Sequence, residues 1–200
     1  MKKLIVSSFA TVLTSGFLLS ACGSNNNNNN PNNGPTADQV RSSANLVCTR
    51  QANGNAIAYL FSQNYKGAAA DDLSTAFKTC GGQLACLDKS TGDMVRMVFA
   101  YETSNEKDQT KSNQLLAAYD QCADTDNYCL AKGSGDMLRY QLDSQDGQNA
   151  DALKSQYDSC GGKSACLDQS VAAMEKSELS KKTKSRRASD LTAAYAKCGQ

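Results

Sequence analysis

Residues 72–80 read DLSTAFKTC, and the same arrangement returns as QLLAAYDQC at 114–122, ALKSQYDSC at 152–160 and DLTAAYAKC at 190–198. The closing cysteines, Cys80, Cys122, Cys160 and Cys198, are spaced by 42, 38 and 38 residues. Three positions before each stands an aromatic residue: Phe77, Tyr119, Tyr157 or Tyr195. Seven before stands Leu73, Leu115, Leu153 or Leu191, and ten before a small residue, Ala70, Ser112, Ala150 or Ala188. Offsets of three, four and three form one stripe of an α-helix, so each segment predicts a helix that buries this face, with the aromatic ring as core. Gly81-Gly82, Gly161-Gly162 and Gly199 follow three of the cysteines and supply the left-handed conformation that closes a helix.

The other four cysteines of the region open a second element: CTRQANGNAIAYLF from Cys48, CLDKSTGDMVRMVF from Cys86, CLAKGSGDMLRYQL from Cys129 and CLDQSVAAMEKSEL from Cys166. Six residues on lie Gly54, Gly92, Gly135 and Ala172; eight on lie Ala56, Met94, Met137 and Met174. Glycine inside a helix costs roughly 1 kcal/mol against alanine, so its recurrence points to close packing at that turn. A Gly-Asp break that delays the helix start is the alternative. Both prolines of the chain, Pro31 and Pro35, lie upstream of the repeats, which leaves the helices uninterrupted.

These elements predict an all-α fold of four helical hairpins, 48–80, 86–122, 129–160 and 166–198, stacked like a solenoid, with a compact eight-helix bundle as the alternative. Each hairpin begins and ends on a cysteine, which favours the bonds Cys48–Cys80, Cys86–Cys122, Cys129–Cys160 and Cys166–Cys198. The rival scheme joins Cys80 to Cys86, Cys122 to Cys129 and Cys160 to Cys166. It leaves Cys48 and Cys198 at opposite ends of an open stack. Loop entropy ranks the hairpin staple higher, at roughly 3.7 kcal/mol against roughly 2.2 for a six-residue loop, though that term bears on stability and not on connectivity.

Repeats of about 38 residues built from helix pairs resemble α-solenoids of the tetratricopeptide kind, and the staples resemble those of Helicobacter cysteine-rich repeat proteins. The likeness is architectural only. The tryptophan and glycine-alanine signatures of tetratricopeptides are missing, so it implies no groove residues and no ligands.

The N-terminus carries a different signal. Lys2 and Lys3 precede an apolar stretch, Leu4 to Leu19, and then Leu19-Ser20-Ala21-Cys22. Cationic start, short apolar core and small residue before the cysteine make residues 1–21 a signal peptide. The four residues resemble the lipobox of bacterial lipoproteins. The resemblance implies cleavage before Cys22, acylation of its thiol (palmitate or a similar chain) and attachment to a membrane. The cysteine count agrees, because nine cysteines less Cys22 leave eight that can pair fully. Gly23 in place of Asp implies the outer membrane, facing the periplasm or the cell surface, under the sorting rule known in enteric bacteria. Residues 22–37 contain GSNNNNNNPNNGPT, a spacer with nothing to bury, reaching on the order of 20 Å. Residues 38–200 form the repeat domain.

The chain lacks His and Trp, which removes the commonest general base and makes hydrolase chemistry hard to build. No catalytic residue, metal or cofactor is expected. Cys-x5-Cys and Cys-x6-Cys are longer than usual zinc spacings. Ser104-Asn105-Glu106-Lys107 fits a serine-x-x-lysine pattern but has no partner motif and falls at a hairpin tip. Asp71-Asp72, Gly92-Asp93 and Gly135-Asp136 read as carboxylates at helix N-termini, complementing the dipole.

Without its leader the chain holds 19 basic and 20 acidic side chains, which offers no field for nucleic acid. Charge is uneven, however. Residues 86–160 carry 7 basic and 13 acidic side chains, whereas residues 166–198 carry 7 and 4. Lys181, Lys182, Lys184, Arg186 and Arg187 crowd one hairpin tip, a candidate surface for an anionic lipid or an acidic envelope protein. The expected function is therefore an outer-membrane-anchored binding or scaffolding module. An envelope hydrolase acting on peptidoglycan or protein, and a surface adhesin or coat component, are the alternatives.

Overall fold

The computed structural model describes residues 37–145, 147–182 and 184–198, with side chains from residue 43 onward. The leader, Cys22 and the Asn-rich spacer lie outside the described residues. What is described is all-helical: α1 (Ala37–Asn64), α2 (Ala68–Thr79), α3 (Leu84–Thr103), α4 (Thr110–Asp120), α5 (Asn127–Gln141), α6 (Gln148–Asp158), α7 (Ser164–Ser180) and α8 (Arg186–Ala196), with a 3-10 turn, Leu142–Ser144, after α5. The expected pairs are present. The first helix starts earlier than its cysteine, at Ala37.

The pairs do not form an open stack. α1 packs against α3, α3 against α5, α5 against α7, and α7 returns to α1. The four longer helices thus form an inner ring, and the arrangement is the compact eight-helix bundle. The short helices lie outside it in the grooves: α2 against α1 and α3, α4 against α3 and α5, and α8 against α7 and α1. Their stripe explains this placement. Ala70, Ser112, Ala150 and Ala188 are all buried, as are Tyr119, Tyr157 and the closing cysteines Cys80, Cys160 and Cys198, and small residues allow the outer helix to sit close.

Closure overturns the expected hairpin staples. The bonds are Cys80–Cys86, Cys122–Cys129, Cys160–Cys166 and Cys48–Cys198, with Cα–Cα distances of 5.3, 5.5, 5.3 and 5.3 Å. The first three join the end of an outer helix to the first turn of the next inner one, and Cys48–Cys198 joins the end of α8 to the body of α1. Gly81 and Gly82, at φ of 58° and 85°, turn the chain tightly enough to bring Cys80 back to Cys86, and Gly161 and Gly162 repeat the turn. Cys48 and Cys198 meet because α8 reaches α1, so the objection that holds for an open stack does not apply.

The helical glycines mark close approach, not a delayed helix start. A Cβ on Gly135 would lie 2.7 Å from Tyr157 Oη, and one on Gly54 would lie 2.6 Å from Phe77 Cε2; Gly92 is pressed by Tyr119 in the same way. In all three, the outer helix lays its aromatic ring across the inner helix backbone.

Candidate functional site

Because α1, α3, α5 and α7 all run from the stapled end to the far end of the ring, residues at equal distance from their opening cysteines form tiers around one axis. Two residues after the cysteines stand Arg50, Asp88, Ala131 and Asp168. Arg50 donates from Nη1 to Asp88 Oδ2 at 2.9 Å and from Nε to Asp168 Oδ2 at 3.0 Å, and all three side chains are nearly inaccessible. Asn53 Nδ2 adds a bond to the Asp168 carbonyl at 3.1 Å. One cation thus ties three inner helices together at the stapled end. Burial raises the Asp88 carboxyl to about 7; Arg50 opposes that rise and Asp168 reinforces it. Asp168 is also raised by burial, against the pull of Arg50.

Farther along, a second polar arrangement repeats on the outside of the ring. Tyr119 Oη lies 3.2 Å from the Lys89 carbonyl and 3.0 Å from Asp93 Oδ1; Lys89 Nζ reaches Asp93 at 2.6 Å. Tyr157, Lys132 and Asp136 form the same set, with 2.8 Å between Tyr157 Oη and Asp136 Oδ1. Burial first, then the facing aspartate, raises both phenols. Asp93 and Asp136 therefore sit mid-helix as partners of a tyrosine and a lysine, which corrects the reading of them as N-terminal carboxylates. Asp71 does stand in the first turn of α2. The first pair replaces the tyrosine by Phe77, which has no hydroxyl to donate, and the aspartate by Asn55, which carries no charge. The fourth keeps Tyr195 but has Ala172 and Ala173 where glycine and aspartate stand in the second and third, and Tyr195 Oη is buried without a hydrogen-bond partner among the described residues. These sets hold outer helices to inner ones.

At the unstapled end the ring opens into a cavity of about 260 Å³. Nine residues beyond the cysteines its wall is Ile57, Val95, Leu138 and Glu175; at twelve, Leu60, Val98, Gln141 and Glu178; at sixteen, Asn64, Glu102, Gln145 and Lys182. The deeper tiers are mostly aliphatic and the rim is polar. Glu102 accepts from Tyr65 Oη at 3.2 Å and from Gln141 Nε2 at 2.6 Å. Glu178 accepts from Lys181 Nζ at 2.6 Å. Glu175 differs, since it is 3 % exposed and its Oε2 has no hydrogen-bond partner among the described residues. Burial raises this carboxyl to about 8, with a smaller push from Glu178. Nothing in the repeat of cysteines, leucines and aromatics announces Glu175. The signal is its column, in which three aliphatic residues face one acid.

The residues singled out from the sequence fall as follows. Eight cysteines are paired as described. The basic cluster is exposed at the cavity end, where Lys181 is taken up by Glu178 and Lys182 lines the rim. Ser104 donates to the Tyr101 carbonyl at the end of α3, while Glu106 in the connection to α4 accepts from Tyr140 Oη. Among the described residues, no group of three or more His, Cys, Asp and Glu is placed to hold a metal ion, and no helix is long and apolar enough to cross a membrane. No protein-family model matches the chain, and no curated protein or solved structure matches it either.

Proposed function

We propose that this chain is a lipoprotein of the outer membrane, anchored through Cys22, whose helix ring is a binding module for an envelope ligand or protein. The binding half of the reading rests on one observation, the cavity at the end of the ring axis, whose largely aliphatic wall carries the buried Glu175 carboxyl group, with Oε2 lacking a hydrogen-bond partner among the described residues. Concave, mostly apolar sites with a few converging polar groups are where proteins take small ligands. The anchoring half is supported by Leu19-Ser20-Ala21-Cys22 and by four disulfides, which form and persist in oxidising compartments. The five exposed cations from Lys181 to Arg187 stand at the cavity end, so an anionic envelope partner would meet that same face.

Labelled palmitate and membrane fractionation test the anchor. Wild-type protein is expected to incorporate label and sediment with outer membranes, and Cys22→Ser to do neither. Label missing from the wild type, with the variant sedimenting equally, refutes it. Changing all five cations to Ser is expected to weaken capture by anionic envelope lipids with a steep salt dependence; unchanged capture at low and moderate salt removes the cluster from the function.

A further inference from the structure

We infer that the axial cavity binds an organic ammonium ion, its apolar part against Ile57, Leu60, Val95, Leu138 and Met174 and its charged end at Glu175. This deepens the cavity reading above and rests on it. Three observations converge. The position of Glu175 is aliphatic in the other three inner helices, so packing at that tier does not call for an acid. A carboxyl group taken out of water without a donor keeps its proton, here up to about pH 8, and ionises at neutral pH only where an opposite charge stands beside it. An ammonium group supplies both the missing donors and the opposite charge.

The second observation is the direction of the ring. α1, α3, α5 and α7 all end at this mouth. Each helix C-terminus carries roughly half a negative charge on its unpaired carbonyls; the outer helices begin at the same end but put no residue into the cavity wall, so the four C-termini lie nearer the opening and favour a cation there. Glu102 and Glu178 add carboxylates at the rim.

The third is size and lining. A cavity of about 260 Å³ lies just below the range typical of drug-sized ligands, which suits a short alkyl or aryl amine. Lys182 is the one cation of the described wall. Standing in the shallowest tier, it repels an ammonium ion at the rim without filling the deep site, and so weakens binding.

Hexylammonium chloride, hexanol and hexanoate, titrated into the full disulfide-bonded protein at pH 7 and followed by calorimetry, separate charge from apolar fit. Hexylammonium is expected to bind most tightly. Glu175→Gln, nearly isosteric, should weaken hexylammonium about tenfold or more, as for loss of a charged hydrogen bond, and leave hexanol unchanged. Lys182→Ser should strengthen hexylammonium several-fold. Unfolding curves of both variants show whether the fold is kept. Equal binding of hexanol and hexylammonium, or a Glu175→Gln variant with unaltered ammonium affinity, would overturn the inference and leave a neutral ligand site. Binding of none of the three overturns the inference and the cavity reading together, while the palmitate experiment stands independently.

Discussion

Asp88 and Glu175 keep protons in the folded protein that they would lose in the unfolded chain. For Asp88 the causes are burial and the facing Asp168, against Arg50; for Glu175 they are burial and Glu178, with the Tyr195 phenol nearby. From the ordinary carboxylate range near pH 4 up to about 7 for Asp88 and about 8 for Glu175, the native state binds more protons than the unfolded one. Stability should therefore fall as pH rises across this window. Below about pH 4 the trend reverses, since hydrogen bonds from Arg96 and Arg139 hold Asp120 and Asp158 low and those pairs are lost on protonation. Thermal unfolding from pH 3 to 9 is expected to show a maximum near pH 4. Glu175→Gln should raise the melting temperature at pH 8 and flatten the alkaline limb; a melting temperature that climbs from pH 5 to 8 contradicts the assignment.

At the scale of the element, the outer helices depend on contact between an aromatic ring and a bare stretch of inner helix. Gly92→Ala adds helix propensity worth roughly 1 kcal/mol, yet its methyl group enters the space held by Tyr119. Overpacking of this kind costs about 1–3 kcal/mol, so the variant should be destabilised overall, measured by chemical unfolding. Ala172→Gly should lose only the propensity, because Ala172 already stands at that turn of α7. These local features were readable without coordinates. Cysteine, aromatic, leucine and small residue recur at helical offsets, and the recurring glycine named its own packing role. Arg50, Asp88 and Asp168 were not readable, because they share a site only once three helices face a common axis. Glu175 escaped for the same reason. The staples misled because all eight cysteines lie at one end of the hairpins, within reach of either pairing, and spacing alone does not reveal whether the last helix returns to the first.

In the whole molecule, that return is secured by Cys48–Cys198, which spans 150 residues. Chain-entropy scaling gives such a closure about 5 kcal/mol, against about 2 for a six-residue loop such as Cys80–Cys86. Replacing Cys48 and Cys198 by Ser should accordingly lower stability more than replacing Cys80 and Cys86. Parallel denaturant titrations of the two double variants decide it, and an equal loss would show that packing of α8 on α1 suffices to close the ring.

One covalent circle, running from Cys48 along the backbone to Cys198 and back through sulfur, has a bearing on life among proteases. A single cut inside a linear domain divides it, whereas a single cut inside this circle only opens it. The exposed basic cluster invites trypsin, with Lys181, Lys182 and Lys184 between α7 and α8 and Arg186 and Arg187 opening α8. Cleavage there leaves α8 on a short C-terminal piece whose one covalent hold on the rest is Cys198 to Cys48. After limited trypsin digestion the protein should migrate as one species without reductant and release the α8 fragment with it. A nicked molecule would therefore stay whole, and the two ends created by the cut would be held in place by the bond that joins the chain's first inner helix to its last outer one.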